Sequence, residues 1–123
     1  MPVVRHADVR RTTTPNATMT THASPTQGAA TALAMWTVEM APGAAGPLHT
    51  FDVEQVWTVL DGHATVDIAG ERHDVGPGDT VVLAPGVPRR VHAVDRFRAM
   101  VAAPTGARAV PADGEPVLPP WIA

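Results

Sequence analysis

Between residues 31 and 40, Ala34, Trp36, Val38 and Met40 recur at every second position, with Met35, Thr37 and Glu39 between them. A period of two marks a strand with one buried face, and Pro42-Gly43 ends it. The same pattern predicts strands over about 47–51, 55–60, 64–68, 72–75, 80–83, 89–94 and 97–102. Asp61-Gly62, Ala69-Gly70 and Gly76-Pro77-Gly78 supply the turns between them. Short strands so closely spaced need a second layer or a closed sheet to bury one face each, so the chain is read as all-β. Residues 1–30 are polar, Thr-rich and interrupted by Pro, and read as an extended N-terminal arm with an edge strand over Ala17 to Ala23. Residues 31–103 form the core unit. From Pro104 the sequence turns to Pro, Ala and Gly, predicting a tail over 104–123 without regular structure. Trp121, after Pro119-Pro120, is expected to pack on the sheet or on a neighbouring subunit rather than on a ligand.

Composition narrows the chemistry. A chain of 123 residues supports one core, and 45% hydrophobic against 17% charged residues is the balance of a folded domain. Ten Gly and thirteen Pro argue against a helical bundle. Without Cys there are no disulfides, thiolate metal sites, iron–sulfur clusters or cysteine nucleophiles. All nine basic residues are Arg, which excludes Schiff-base chemistry through a lysine. A net charge of −3 with scattered Arg residues gives no footprint for nucleic acid. No run approaches the roughly 20 apolar residues of a membrane span, and the N-terminus lacks a basic segment followed by an apolar one. A cytoplasmic protein without membrane partners is expected. No Ser-His-Asp pattern, phosphate loop or zinc-protease motif is present.

Two segments carry a resemblance. Gly43, His49, Phe51, Gln55 and Gly62 fit, without a gap, the spacing G-x5-H-x-H-x3,4-E-x6-G. Further on, Gly78, Ala84, Gly86, Arg89 and Ala93 fit G-x5-P-x-G-x2-H-x3-N, with Ala84, Arg89 and Ala93 at the Pro, His and Asn positions. These spacings resemble the two signatures of the cupins, over about Thr31 to Val101. The resemblance implies a jelly-roll β-barrel with positions 49, 51, 55 and 89 inside its mouth. In metal-binding cupins those positions hold a divalent ion through two His, one Glu and a third His. Here only His49 is retained. Phenylalanine has no donor, glutamine offers a neutral carbonyl, and arginine repels a cation. The expectation is therefore no metal cofactor. If a divalent metal does bind, His49 and Gln55 are its ligands, or a displaced site recruits His22, His63, His92, Asp52 or Glu54.

Each residue also has a plain structural reading. His49 is either a proton donor and acceptor or a merely hydrogen-bonded pocket histidine. Arg89 is either a buried cation needing an anionic partner, from the protein or a substrate, or a solvated neighbour of the Pro88 turn like Arg90. If Arg89 points inward, a regular strand turns His92 outward. Gln55 and Trp57, two apart on one strand, present an amide and an indole to one face. Phe51 makes the pocket apolar and suited to an aromatic or polyketide-like guest, or else fills vacated metal space. Asp79 is a turn residue, and His6, His63 and His73 belong to the surface. The function expected is small-molecule binding with catalysis by His49 and Arg89 and substrate contacts from Phe51, Gln55 and Trp57. A metal-independent cyclisation, dehydration or isomerisation stands against a metal-dependent oxygenase or metal-assisted cyclase, and against a non-catalytic binding or sensing module. Exposed sheet edges favour a homodimer.

Overall fold

The structure, a computed structural model, describes residues 3–123. The first two residues of the predicted arm lie outside the described residues. Eleven strands form two antiparallel sheets: β1 (Arg10–Thr13), β2 (Thr18–Ala23), β3 (Leu33–Met40), β4 (His49–Phe51), β5 (Gln55–Asp61), β6 (Ala64–Ile68), β7 (Glu71–Val75), β8 (Thr80–Leu83), β9 (Arg89–Ala93), β10 (Phe97–Pro104) and β11 (Ala109–Pro111). One sheet runs β1-β2-β3-β10-β5-β8 and the other β11-β4-β9-β6-β7. From β3 onward the chain passes repeatedly between the sheets, giving the face-to-face jelly-roll arrangement. The two sheets share no paired strand, so the strands do not close into a hydrogen-bonded barrel. Among the described residues no helix is long and apolar enough to cross a membrane.

The alternation read in the sequence has the expected consequence. Ala34, Trp36, Val38 and Met40 of β3 are buried beside Ala99 and Val101 of β10. Phe97, at 1% exposed, is one such contact, each worth roughly 1.5–3 kcal/mol. The outward positions Leu33 and Met35 are exposed.

Both ends of the chain depart from the expectation. β1 takes the edge, and β2, expected there, lies between β1 and β3. What reads as an arm therefore extends the sheet, because the Thr-rich run pairs on both sides and Met19 and Thr21 turn into the core. The tail also contains regular structure: β11 pairs with β4, placing Pro111 opposite His49 on the outermost strand. Pro is tolerated there because an edge strand leaves some N–H positions unpaired. Ile122 is fully buried, and Thr21 Oγ1 donates to the Trp121 carbonyl at 2.7 Å.

The four signature glycines 43, 62, 78 and 86 all have positive φ. Gly62 is the most constrained, with φ +74° and an added Cβ only 1.9 Å from the Arg96 carbonyl oxygen. Gly70 also has positive φ, but a Cβ there meets nothing within 4 Å. Gly70→Ala is expected to cost about 1 kcal/mol from backbone strain alone, and Gly62→Ala about 3 kcal/mol or more. Urea unfolding of the two variants checks this. Equal losses would contradict the steric account.

Candidate functional site

Between the sheets lies a cavity of about 340 Å³, lined mainly by apolar surface. Met19, Trp36, Val38, Gln55 and Trp57 come from one sheet, and His49, Phe51, Arg89 and Val91 from the other. All five residues expected from the sequence are brought together here. Trp121, expected to pack away from any ligand, also lines the cavity, as do Thr14, Asn16 and Met19 from the N-terminal segment. Trp121 packs against the core as expected, a tryptophan following two prolines being the signal, whereas the lining by Thr14, Asn16 and Met19 was missed because the N-terminal segment reads as an arm.

Strand register positions the polar residues. His49 of β4 and Arg89 of β9 are direct cross-strand partners. Such pairs stand about 4.5–5.5 Å apart at Cβ. On β9, Arg89, Val91 and Ala93 are buried, while Arg90 is exposed and His92 only partly covered. His92 lies 3.6 Å from Asp67, and Arg90 donates to the Gly46 carbonyl at 3.0 Å. Of the two adjacent arginines, Arg89 faces the cavity.

Arg89 is 1% exposed. Its Nε donates to the Val87 carbonyl at 2.9 Å, Nη2 to the Ala84 carbonyl at 3.3 Å, and Nη1 to Gln55 Oε1 at 3.3 Å. The guanidinium carbon stands 5.4 Å from the centre of the Phe51 ring, a favourable cation–π separation. These partners are neutral. Among the described residues Arg89 forms no ion pair. Burial pushes its pKa down to about 10, leaving it a cation at neutral pH.

The loop supplying two of those carbonyls is tied to β4 by Gly86, whose N–H donates to the Phe51 carbonyl at 2.8 Å. Gly86 adopts φ +74° there, a conformation natural to glycine. Asp79 takes a turn role, accepting from the Gly76 N–H at 2.8 Å.

Gln55, also 1% exposed, accepts two hydrogen bonds at Oε1: from Arg89 and, at 3.2 Å, from Trp57 Nε1. Its Nε2 is buried with no partner among the described residues. His49 Nδ1 lies 2.8 Å from the Pro47 carbonyl. A carbonyl can only accept, so Nδ1 carries the proton and Nε2 of the neutral ring is a free base. The His49 ring meets Phe51 edge-on at 5.3 Å between centroids. Its pKa lies below 6.5, chiefly through desolvation and further through the Arg89 charge, with the Pro47 hydrogen bond opposing them.

Residues 36–102 match the family described as Cupin domain. The chain belongs to the cupins. Among solved structures it resembles the polyketide cyclase RemF from Streptomyces resistomycificus, with TM-score 0.78 and 22% identity over 94% of this chain and 87% of that one. It also resembles KdgF from Halomonas sp., with TM-score 0.72 and 18% identity over 83% and 93% of the two chains. A third likeness is to salicylate 1,2-dioxygenase from Pseudoaminobacter salicylatoxidans, with gentisate, at TM-score 0.74 and 18% identity. That match covers 85% of this cupin and 31% of the dioxygenase chain. A search of curated protein sequences found no match.

At the positions where the cupin resemblance implies metal ligands, the donor set does not fit a divalent ion. His49 Nε2 is a suitable donor, but Gln55 Oε1 is already engaged by two N–H groups, Phe51 has no lone pair and Arg89 is positive. The residues expected at a displaced site are engaged separately. His63 is paired with Asp95, Asp52 accepts from the Arg108 N–H, and His22 contacts Thr37. Among the described residues no three His, Asp or Glu side chains gather into a ligand group.

The neutral state of His49 has a pH signature. An NMR titration of its ring is expected to give a midpoint below 6.5, moving upward in Arg89→Met as the neighbouring charge is removed. Because the unfolded chain takes up this proton first, His49's contribution to stability is fully present above pH 6.5. It is lost as pH falls from 6.5 towards the folded midpoint. A wild-type midpoint at or above 6.5 would contradict the desolvated, cation-facing placement.

Proposed function

We propose that this cupin is a metal-independent enzyme moving a proton within a small aromatic or polyketide-like substrate, by cyclisation, dehydration or isomerisation. The observation that carries the reading is the pairing of a free imidazole base with a buried, uncompensated guanidinium across β4 and β9. In this reading His49 Nε2 accepts a proton from substrate carbon. The electron pair left behind moves onto the adjoining carbonyl oxygen, where Arg89 stabilises the charge as it develops. The imidazolium then returns the proton to a different substrate atom, so no oxidant or reductant is needed. Phe51 and Trp57 form apolar walls and Gln55 orients the guest by hydrogen bonding. Kinship in fold with a polyketide cyclase supports the substrate class.

The lowered pKa of His49 suits both halves of the step. The ring is an unprotonated base at neutral pH and, once protonated beside Arg89, an acid that gives its proton up readily. Pairing of two copies belongs to the same proposal, supported by Leu33, Met35 and Val82 on the outward side of the larger sheet.

Replacing His49 by Ala is expected to lower turnover of such a substrate by about a hundredfold or more, while ligand affinity changes only a few-fold. Unchanged turnover would overturn the role of His49. Ligands that bind and emerge chemically unaltered across a substrate panel would favour a binding module. Light scattering at micromolar concentration is expected to return twice the 12.9 kDa of one chain, and a monomer would remove the pairing.

A further inference from the structure

We infer that the part of the cavity lined by Arg89 and Gln55 is a carboxylate-binding subsite and that the natural ligand is an aromatic acid. The inference rests on the reading of the cavity as a substrate site and deepens it by naming the group that anchors the substrate.

Donors at Arg89 and Gln55 outnumber the acceptors around them. A guanidinium carries five N–H groups. In Arg89 three of them are directed at Val87, Ala84 and Gln55, leaving two. The Gln55 amide adds two more, since Nε2 is buried with no partner among the described residues. Its orientation is fixed by chemistry: the oxygen must face Trp57 Nε1 and Arg89 Nη1, both of which only donate. Two buried, cavity-lining side chains therefore hold four N–H groups with nothing to receive them. An ionised carboxylate has two oxygens and about four acceptor sites, and a guanidinium meets it in the plane with bidentate geometry. A single enolate or phenolate oxygen leaves part of that donor set unmatched. Water satisfies donors but does not balance charge, and Arg89 is a buried cation with no ion pair among the described residues.

The rest of the cavity defines the body of the acid. Phe51, Trp57, Trp36 and Val38 present rings and methyl groups, and about 340 Å³ compares with the roughly 150 Å³ that suffices for benzene in an engineered cavity. Two fused rings are therefore accommodated. His49 lies directly across from Arg89, beside the ring system that the carboxylate anchors. Arg89 then serves as counter-charge to the resident carboxylate and to the charge that proton removal places on the conjugated rings.

Isothermal titration of the full chain with 2-naphthoate, 2-naphthamide and 2-naphthol at neutral pH tests this without requiring turnover. The acid is expected to bind the wild type at least about tenfold more tightly than the amide or naphthol, the scale of a charge-assisted hydrogen bond. In Arg89→Met the preference is expected to fall within about threefold, whereas Arg89→Lys, which keeps the charge and loses the planar fork, retains an intermediate preference. Because the titration reads binding and not turnover, the carboxylate subsite and the proton-transfer reading fail separately. Equal binding of acid and amide by the wild type, tighter binding of naphthol, an acid preference undiminished in Arg89→Met, or no binding of 2-naphthoate would overturn the subsite. The wild-type comparison remains decisive even if the Met variant does not fold.

Discussion

The site depends on a buried positive charge held by neutral groups. Arg89 is bonded to two loop carbonyls and a glutamine oxygen and stacked over Phe51, with no carboxylate among the described residues to neutralise it. Burying an ion without a counter-ion is expensive, and the lowered pKa expresses that expense. The neighbours of Arg89 follow from it: Gln55 must turn its oxygen towards the cation, which leaves the amide nitrogen unpartnered, and the nearby charge helps to keep His49 neutral.

The fold supplies this arrangement through register rather than through any one loop. Pairing of β4 with β9 sets His49 opposite Arg89, and pairing of Ile68 with Arg89 and Asp67 with Arg90 decides which arginine points inward. The Gly86 N–H to Phe51 carbonyl bond fixes the loop whose carbonyls receive the guanidinium. A one-residue slip of β9 would send Arg89 to solvent and Arg90 to the cavity, because side chains alternate across a sheet. At the position of the third His ligand of metal-binding cupins, the chain carries the buried Arg89 guanidinium. A positive charge stands there, bonded to neutral oxygens.

Much of this was legible in the sequence, for identifiable reasons. The strands over 64–68 and 80–83 coincide with β6 and β8, and 55–60 falls one residue short of β5, since alternation and glycine turns are local signals. The signature spacing located His49, Phe51, Gln55 and Arg89 together, and two-residue periodicity joined Trp57 to Gln55. The chain ends were not legible in this way. β1 lacks apolar alternation and is a strand because β2 offers it a ladder, while β11 contains Pro and exists because β4 has an open edge. Met19 reaches the cavity through the pairing of β2 with β3, and Trp121 is held there by Thr21. Nor does a sequence show where a buried donor lacks an acceptor. The free Gln55 nitrogen appears only once Trp57 and Arg89 are seen to converge on the same oxygen.

The claim at the centre of this account is that the protein's own guanidinium stands at the position of a metal ligand. Elemental analysis of untagged protein, purified without chelators and then incubated with iron, nickel, manganese, copper and zinc in turn, tests it most directly. The account predicts well below about a tenth of an equivalent of any of these metals per chain. Retention of about one equivalent of any of them would contradict it, since a tight site needs several lone-pair donors that this cavity does not assemble.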